Sequence, residues 1–329
     1  MTYPLNPLVY SKDVEKEPIR AGFGRGLKAA GEKNEKIVAL CADLTESTQM
    51  HLFRDAFPKR FIQVGIAEQN LAAVASGMAR AGKIPFASSY AAFSPGRNWE
   101  QIKTTIALNN QPVKIAGSHA GVSVGPDGAT HQMLEDIAIM RVLPNMVVVA
   151  PGDSIEAQKA TLAIAENNKP TYLRLAREKS PIFSTAEAPF EIGKAYVVKE
   201  GTDISLFGTG TLTYHLLVAA KILEGKGVNA EVVHVPTIKP LDHETLLASA
   251  RKTGRVLTAE EAQAAGGFGS AVTEFLSSTL PMPIKRVGTY DRFGESGTPD
   301  ELMEYFGFTG DKLVETIEAF IKEMPQYHR

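Results

Sequence analysis

With 329 residues, 44% of them apolar, the chain can bury a large core and divides most naturally into two domains. Its 35 Lys and Arg nearly balance 37 Asp and Glu, which argues against nucleic acid or an anionic membrane as a partner. Cys41 is the only cysteine, so no disulfide framework exists within one chain; no apolar run approaches a membrane span, and residues 1–18 hold no leader-like apolar stretch, so a cytoplasmic protein is expected.

Residues 1–17 read as an extended arm with Pro4, Pro7 and a charged stretch before the first helix, predicted over 20–30. A buried strand over 37–42 runs into the polar loop Asp43-Leu44-Thr45-Glu46-Ser47, at the carboxyl end where open α/β sheets place ligands. Phe61, Ile62, Val64 and Ile66 mark a short strand over 61–66, followed by a helix over 70–81 rich in Ala, Ser and Gly. Glu68 sits at that junction, on the edge of an apolar block. It is either a helix N-terminal charge or an acid with a chemical task.

A strand over 84–88, a loop over 89–97, a helix over 98–108 and a strand over 113–117 follow, ending in Ser118-His119. A glycine-rich loop over 120–130 leads to His131 and a helix over 132–141. Next come a strand over 145–150, a helix over 154–167 and a strand over 170–175. Residues 178–191 hold two prolines and no periodicity, so a linker is set at 181–190, between a first domain over 18–180 and a second over 191–329. The second domain repeats the alternation, with strands at 203–207, 230–235 and 255–258 and helices at 212–223 and 266–277. The expected class is α/β, each domain a mostly parallel sheet flanked by helices.

Two glycine-rich turns invite functional readings that the spacing does not support. Gly208-Thr209-Gly210 lacks the third glycine of a dinucleotide fingerprint, since Thr213 stands there, so it reads as an ordinary strand-to-helix turn. Glu260 and Glu261 precede the glycine-rich start of the last predicted helix, which suits close helix packing, with catalysis as the alternative. His119, Asp127 and His131 bracket a loop too rich in glycine for core. No histidine pair has helical metal-site spacing and no thiolate is near, so hydrogen bonding to a polyhydroxylated substrate suits them better, with proton transfer near neutral pH also open to the imidazoles. Arg20, Arg97, Arg174 and Arg177 are surface charges by default. Arg177, just past a strand, lies on the ligand side, and guanidinium recognises phosphate well.

Gly65-Ile66-Ala67-Glu68-Gln69, the loop from Tyr90 to Phe93, Ser118-His119, the run from Val124 through Asp127 and Thr130 to Gln132, and Leu175-Ala176-Arg177 follow one another as in transketolase. The resemblance extends from about Arg20 to the C-terminus. It covers the pyrimidine-binding and C-terminal domains of that family. The Gly-Asp-Gly motif and downstream Asn of the diphosphate-binding domain do not occur in the sequence, and Gly152-Asp153-Ser154 is not that motif. The chain therefore resembles the C-terminal subunit of a split transketolase.

The resemblance implies thiamine diphosphate as cofactor, bound at the interface with an N-terminal subunit that holds Mg2+ or Ca2+; no metal site is expected on this chain. A heterotetramer with two copies of each chain and sugar phosphates as substrates are further implications. Glu68 would hydrogen-bond the aminopyrimidine ring, Tyr90 and Phe93 would line its pocket with one stacking on it, and Asp43 and Leu44 would lie near the thiazolium. His119, Asp127 and His131 would meet the donor sugar's hydroxyls, with the two histidines joining Glu68 as catalytic groups, and Arg20, Ser47 and Arg177 would meet its phosphate. Ala67 and Gln69 stand where single-chain transketolases usually carry Arg and His, and Gly96 falls near a usual aromatic. Competing readings are the β subunit of a 2-oxo-acid dehydrogenase, half of a deoxyxylulose-phosphate synthase, and a non-catalytic scaffold. The first lacks a use for the histidine set, Ser47 and Arg20 disfavour the second, and intact Glu68 with the histidines argues against the third.

Overall fold

The computed structural model describes residues 3–327; the first two residues of the arm and the last two of the second domain lie outside them. In chain order the first half runs β1 (Lys16–Pro18), α1 (Ile19–Lys33), β2 (Ile37–Cys41), α2 (His51–Ala56), β3 (Phe61–Gln63), α3 (Glu68–Arg80), β4 (Ile84–Tyr90), α4 (Trp99–Gln101), β5 (Lys114–Ser118), α5 (Asp136–Arg141), β6 (Val147–Val149), α6 (Ser154–Glu166), β7 (Thr171–Arg174) and β8 (Lys179–Pro181). The second half runs β9 (Tyr196–Lys199), β10 (Ile204–Gly208), α7 (Leu212–Glu224), β11 (Ala230–His234), β12 (Thr237–Lys239), α8 (His243–Thr253), β13 (Val256–Gln263), α9 (Phe268–Thr279), β14 (Ile284–Thr289), α10 (Pro299–Tyr305) and α11 (Gly310–Glu323).

The first sheet has seven strands in the order β12-β6-β7-β5-β4-β2-β3, parallel throughout except for β12. The second has five, in the order β14-β13-β10-β11-β9, with only β9 antiparallel. The two-domain α/β architecture with mostly parallel sheets is as expected. Along β2, Val38 and Leu40 pack with Leu71, Ala72 and Ala75 of α3, while Ile37, Ala39 and Cys41 pack with Phe23 and Leu27 of α1. Burial on both faces is why that strand is apolar without alternation. Helices α1 and α6 approach closely because Gly22 and Gly26 face Ser154, Gln158 and Thr161; a Cβ at Gly22 would overlap the Ser154 carbonyl.

Several boundaries differ from the sequence reading, each for a local reason. The strand predicted over 61–66 stops at Gln63, because Gly65 takes φ 72° and turns the chain. That lets α3 begin at Glu68, two residues early. β4 runs on to Tyr90, paired with Ser118. The helix over 98–108 widens into π-type turns over Ile102–Ala107. There the Thr104 and Thr105 hydroxyls donate to carbonyls four residues back, at 2.9 and 2.7 Å, and compete with the helix ladder. Helix α5 starts at Asp136 and not at Gln132, whose side chain is spent on loop carbonyls. Residues 16–18, where the arm meets the first domain, pair with β8 at the end of that domain, and β12, unforeseen, crosses from the second half to extend the first sheet.

Candidate active site

Parallel strands end on one edge, so the residues that follow them converge there. β2 delivers Asp43, β3 leads into Glu68, β4 ends at Tyr90, β5 ends beside His119, and β7 is followed by Arg177. Glu68 opens α3, where unpaired N–H groups favour negative charge. Its side chain is only 2% exposed, and Oε2 accepts a hydrogen bond from Arg97 Nη1 at 2.9 Å. Asn98 Nδ2 donates to the Glu68 carbonyl at 2.7 Å, fixing the turn. The Arg97 guanidinium also lies 4.7 Å from the Phe93 ring centroid. A flat nitrogen group thus meets a buried carboxylate and an aromatic face together, and a flat nitrogen heterocycle would find the same two partners.

Tyr90, Phe93, His119 and His131 form one ring cluster. Tyr90 and His119 stack at 3.8 Å between centroids, Tyr90 and Phe93 lie 6.0 Å apart, and His131 meets Phe93 edge-on at 5.4 Å. His119 adopts φ 60°, a left-handed backbone uncommon for a side-chain-bearing residue and found often at functional sites. Arg20 Nη1 lies 3.1 Å from His119 Nε2, and Ser118 Oγ lies 2.9 Å from Nδ1. Arginine only donates, so Nε2 is the acceptor and the ring proton sits on Nδ1, bonded to Ser118. Burial, then Arg20, Arg177 and His131, push the His119 pKa down to about 3, leaving the ring neutral at physiological pH.

Arg20 is half-buried, with its Nε buried and unpartnered. Burial, then the neighbouring Arg177, hold its pKa below the ordinary arginine value. Two guanidiniums that repel each other beside a neutral imidazole would be relieved by an anion between them. Arg177 Nη1 donates to the Val124 carbonyl at 2.5 Å and lies 3.4 Å from Glu178.

The remaining expected residues lie further out. Asp43 is exposed, at φ 59°, and its amide donates to Gln63 Oε1 at 2.7 Å. Leu44 and Ser47 are half-buried on the turn that follows. Asp127 is exposed on the loop, and among the described residues neither it nor Ser47 hydrogen-bonds the ring cluster. Arg174 turns inward, its Nε 2.8 Å from Asp136 Oδ2, so it is a core ion pair and not a ligand for phosphate. Among the described residues no group of three His, Cys, Asp or Glu is placed to hold a metal ion, and no helix is long and apolar enough to cross a membrane. Arg97, to which the sequence assigned no specific role, proves to be the partner of Glu68, and Gln132 and Glu261 prove to bind the loop.

Residues 15–181 match the family described as transketolase, pyrimidine binding domain, and residues 193–313 match transketolase, C-terminal domain. The chain belongs to the transketolase family. It corresponds to the section that split members carry as a separate C-terminal chain. A Methanocaldococcus jannaschii protein, provisionally named a transketolase C-terminal section, is 42% identical over 93% of this chain and 96% of its own length. A 6-deoxy-6-sulfo-D-fructose transketolase subunit from a Clostridium species is 41% identical over 86% of this chain and 88% of its own. A solved structure described as a split gene transketolase, inactive beta4 tetramer, superposes with a TM-score of 0.87 at 44% identity, covering 93% of this chain and 98% of the other.

Proposed function

We propose that this chain is the cofactor-ring and donor-sugar half of a thiamine-diphosphate-dependent transketolase, moving a two-carbon ketol unit from a ketose phosphate to an aldose phosphate. What carries this is the buried Glu68 carboxylate paired with a flat nitrogen group over Phe93, next to an imidazole and two guanidiniums. Thiamine diphosphate supplies the nucleophilic carbon that carries the two-carbon unit. Glu68 holds and shares a proton with the aminopyrimidine nitrogen. Phe93 stacks on that ring, because the face of Tyr90 is already taken by His119. Asp43 and Leu44 flank the second ring.

Arg20 and Arg177, with Ser47, take the donor's phosphate. His119 Nε2, Asp127 and His131 meet its hydroxyls. A phosphate seated between the arginines offsets two of the charges that depress His119, raising its basicity when substrate is in place. Residues 18–180 form the pyrimidine-binding domain and 191–329 the C-terminal domain. Mg2+ and the diphosphate belong to a partner N-terminal subunit, and the assembly holds two copies of each chain. The buried free thiol of Cys41 suits a reducing, cytoplasmic setting.

The solved relative described as an inactive tetramer of one chain type supports self-association without activity. The expected result is that the purified chain alone gives no ketol transfer and no tight cofactor binding by calorimetry, and that mixing it with the complementary half gives both. Micromolar binding of thiamine diphosphate to this chain by itself would overturn the division of labour.

A further inference from the structure

The carboxylate of Glu261 reaches from β13 of the second domain into the glycine-rich loop of the first. It is 2% exposed. Oε1 accepts the Ser123 amide at 2.6 Å, and Oε2 accepts the Thr211 hydroxyl at 2.9 Å. Gly121, at φ 92°, has no room for a Cβ because this carboxylate fills the place. The loop backbone is therefore moulded on the Glu261 side chain. The Glu261 carbonyl in turn accepts Arg174 Nη2 at 2.8 Å, and Arg174 is fixed by Asp136, so strand, core ion pair and loop are tied in series.

A second hold comes from Gln132, whose Nε2 donates to the carbonyls of Val122 at 3.0 Å and Gly125 at 3.2 Å, and to Glu295 of the second domain at 2.8 Å. Beyond the held segment lie Asp127 and His131, and Arg177 meets the same segment at the Val124 carbonyl. A buried carboxylate carries a desolvation cost that an apolar residue would avoid, so its presence calls for a geometric reason.

We propose that Glu261 is a positioning residue of the donor-sugar site: through it the C-terminal domain sets the backbone of the loop that presents Asp127 and His131. It touches no substrate and acts through the loop backbone, at the Ser123 amide and at Gly121. The inference rests on reading that loop as the donor-sugar site, and part of its test does not depend on that reading.

The test uses the assembled two-chain enzyme with Glu261→Ala, Glu261→Gln and Thr211→Val. Hydrogen exchange by mass spectrometry over residues 119–132 reads the hold itself. Glu261→Ala should speed exchange in that peptide by about tenfold or more, the scale of one lost hydrogen bond to a charged acceptor. Donor KM should rise by about tenfold. Cofactor affinity and hydrogen–deuterium exchange at the cofactor's reactive carbon should stay at wild-type values, because Glu68 and Phe93 stand on other elements. Glu261→Gln keeps an oxygen for the Ser123 amide and should recover most of both losses. Thr211→Val frees one carboxylate oxygen and should give a smaller change in the same direction, which serves if the alanine variant fails to fold. Loop exchange at the wild-type rate in Glu261→Ala, or in Thr211→Val where only that variant folds, would overturn the inference by itself. Faster loop exchange with unchanged donor KM would overturn the link between loop and donor sugar, and with it that part of the functional reading.

Discussion

Arg177→Ala separates the phosphate recognition proposed for Arg177 from the loop support that its contact to the Val124 carbonyl provides. Its side chain is 32% exposed and lies near Arg20, the second guanidinium of the proposed seat. A charge-assisted hydrogen bond contributes about 1.5–3 kcal/mol, and partial exposure with Arg20 still present places the loss near the lower end. That corresponds to roughly a tenfold rise in KM for a phosphorylated ketose. Losing the contact to the Val124 carbonyl loosens the loop for any donor, so it moves phosphorylated and unphosphorylated ketoses together. The informative quantity in steady-state assays of the assembled enzyme is the ratio of the two effects. A ratio near tenfold supports the phosphate seat. Equal losses on both donors would show that Arg177 is only a loop support.

His119 should stay neutral, with its proton on Nδ1, across about pH 5 to 8, as read by 15N shifts of the ring. Its folded pKa of about 3 lies below the ordinary value of 6.5, so the stability it contributes is present above about 6.5 and fades as pH falls toward 3; a ring titrating near 6.5 would refute this. Glu260 behaves oppositely, since burial raises its carboxyl from 4.5 to about 7 although the Phe268 and Gly269 amides favour its charge. Its contribution is present below 4.5 and is lost as pH rises through about 7, amounting to roughly 3 kcal/mol. Denaturant curves of wild type and Glu260→Gln should diverge in slope over that range, and parallel profiles would refute the assignment.

The sequence carried the architecture because strand burial and strand–helix alternation are local signals. Apolar β2 and the small-residue α3 declare themselves without knowledge of their neighbours. What escaped it depended on contacts distant in the chain. β12 joins the first sheet from the other half, which no periodicity around Thr237 reveals. Arg174 read by default as a surface charge because nothing nearby in sequence shows Asp136 waiting in the core. Glu68 could be singled out by its place at a strand-to-helix junction, whereas its pairing with Arg97 needed the turn that Asn98 closes. The stacking of His119 on Tyr90 was likewise invisible in the sequence, since it brings together the ends of two different strands.

The role given to Glu68 is decided by hydrogen–deuterium exchange at the reactive carbon of thiamine diphosphate, followed by NMR after acid quench. As a mere helix-start charge, Glu68 replaced by Gln would cost at most about 1 kcal/mol of stability and leave exchange intact. As the proton-sharing acid, Glu68→Gln keeps an oxygen for Arg97 and a normal fold but cannot supply the proton. Exchange and turnover should then fall by roughly a hundredfold or more, while association with the partner chain is unchanged. Exchange at the wild-type rate in the assembled Glu68→Gln enzyme would contradict the proposed function at its base.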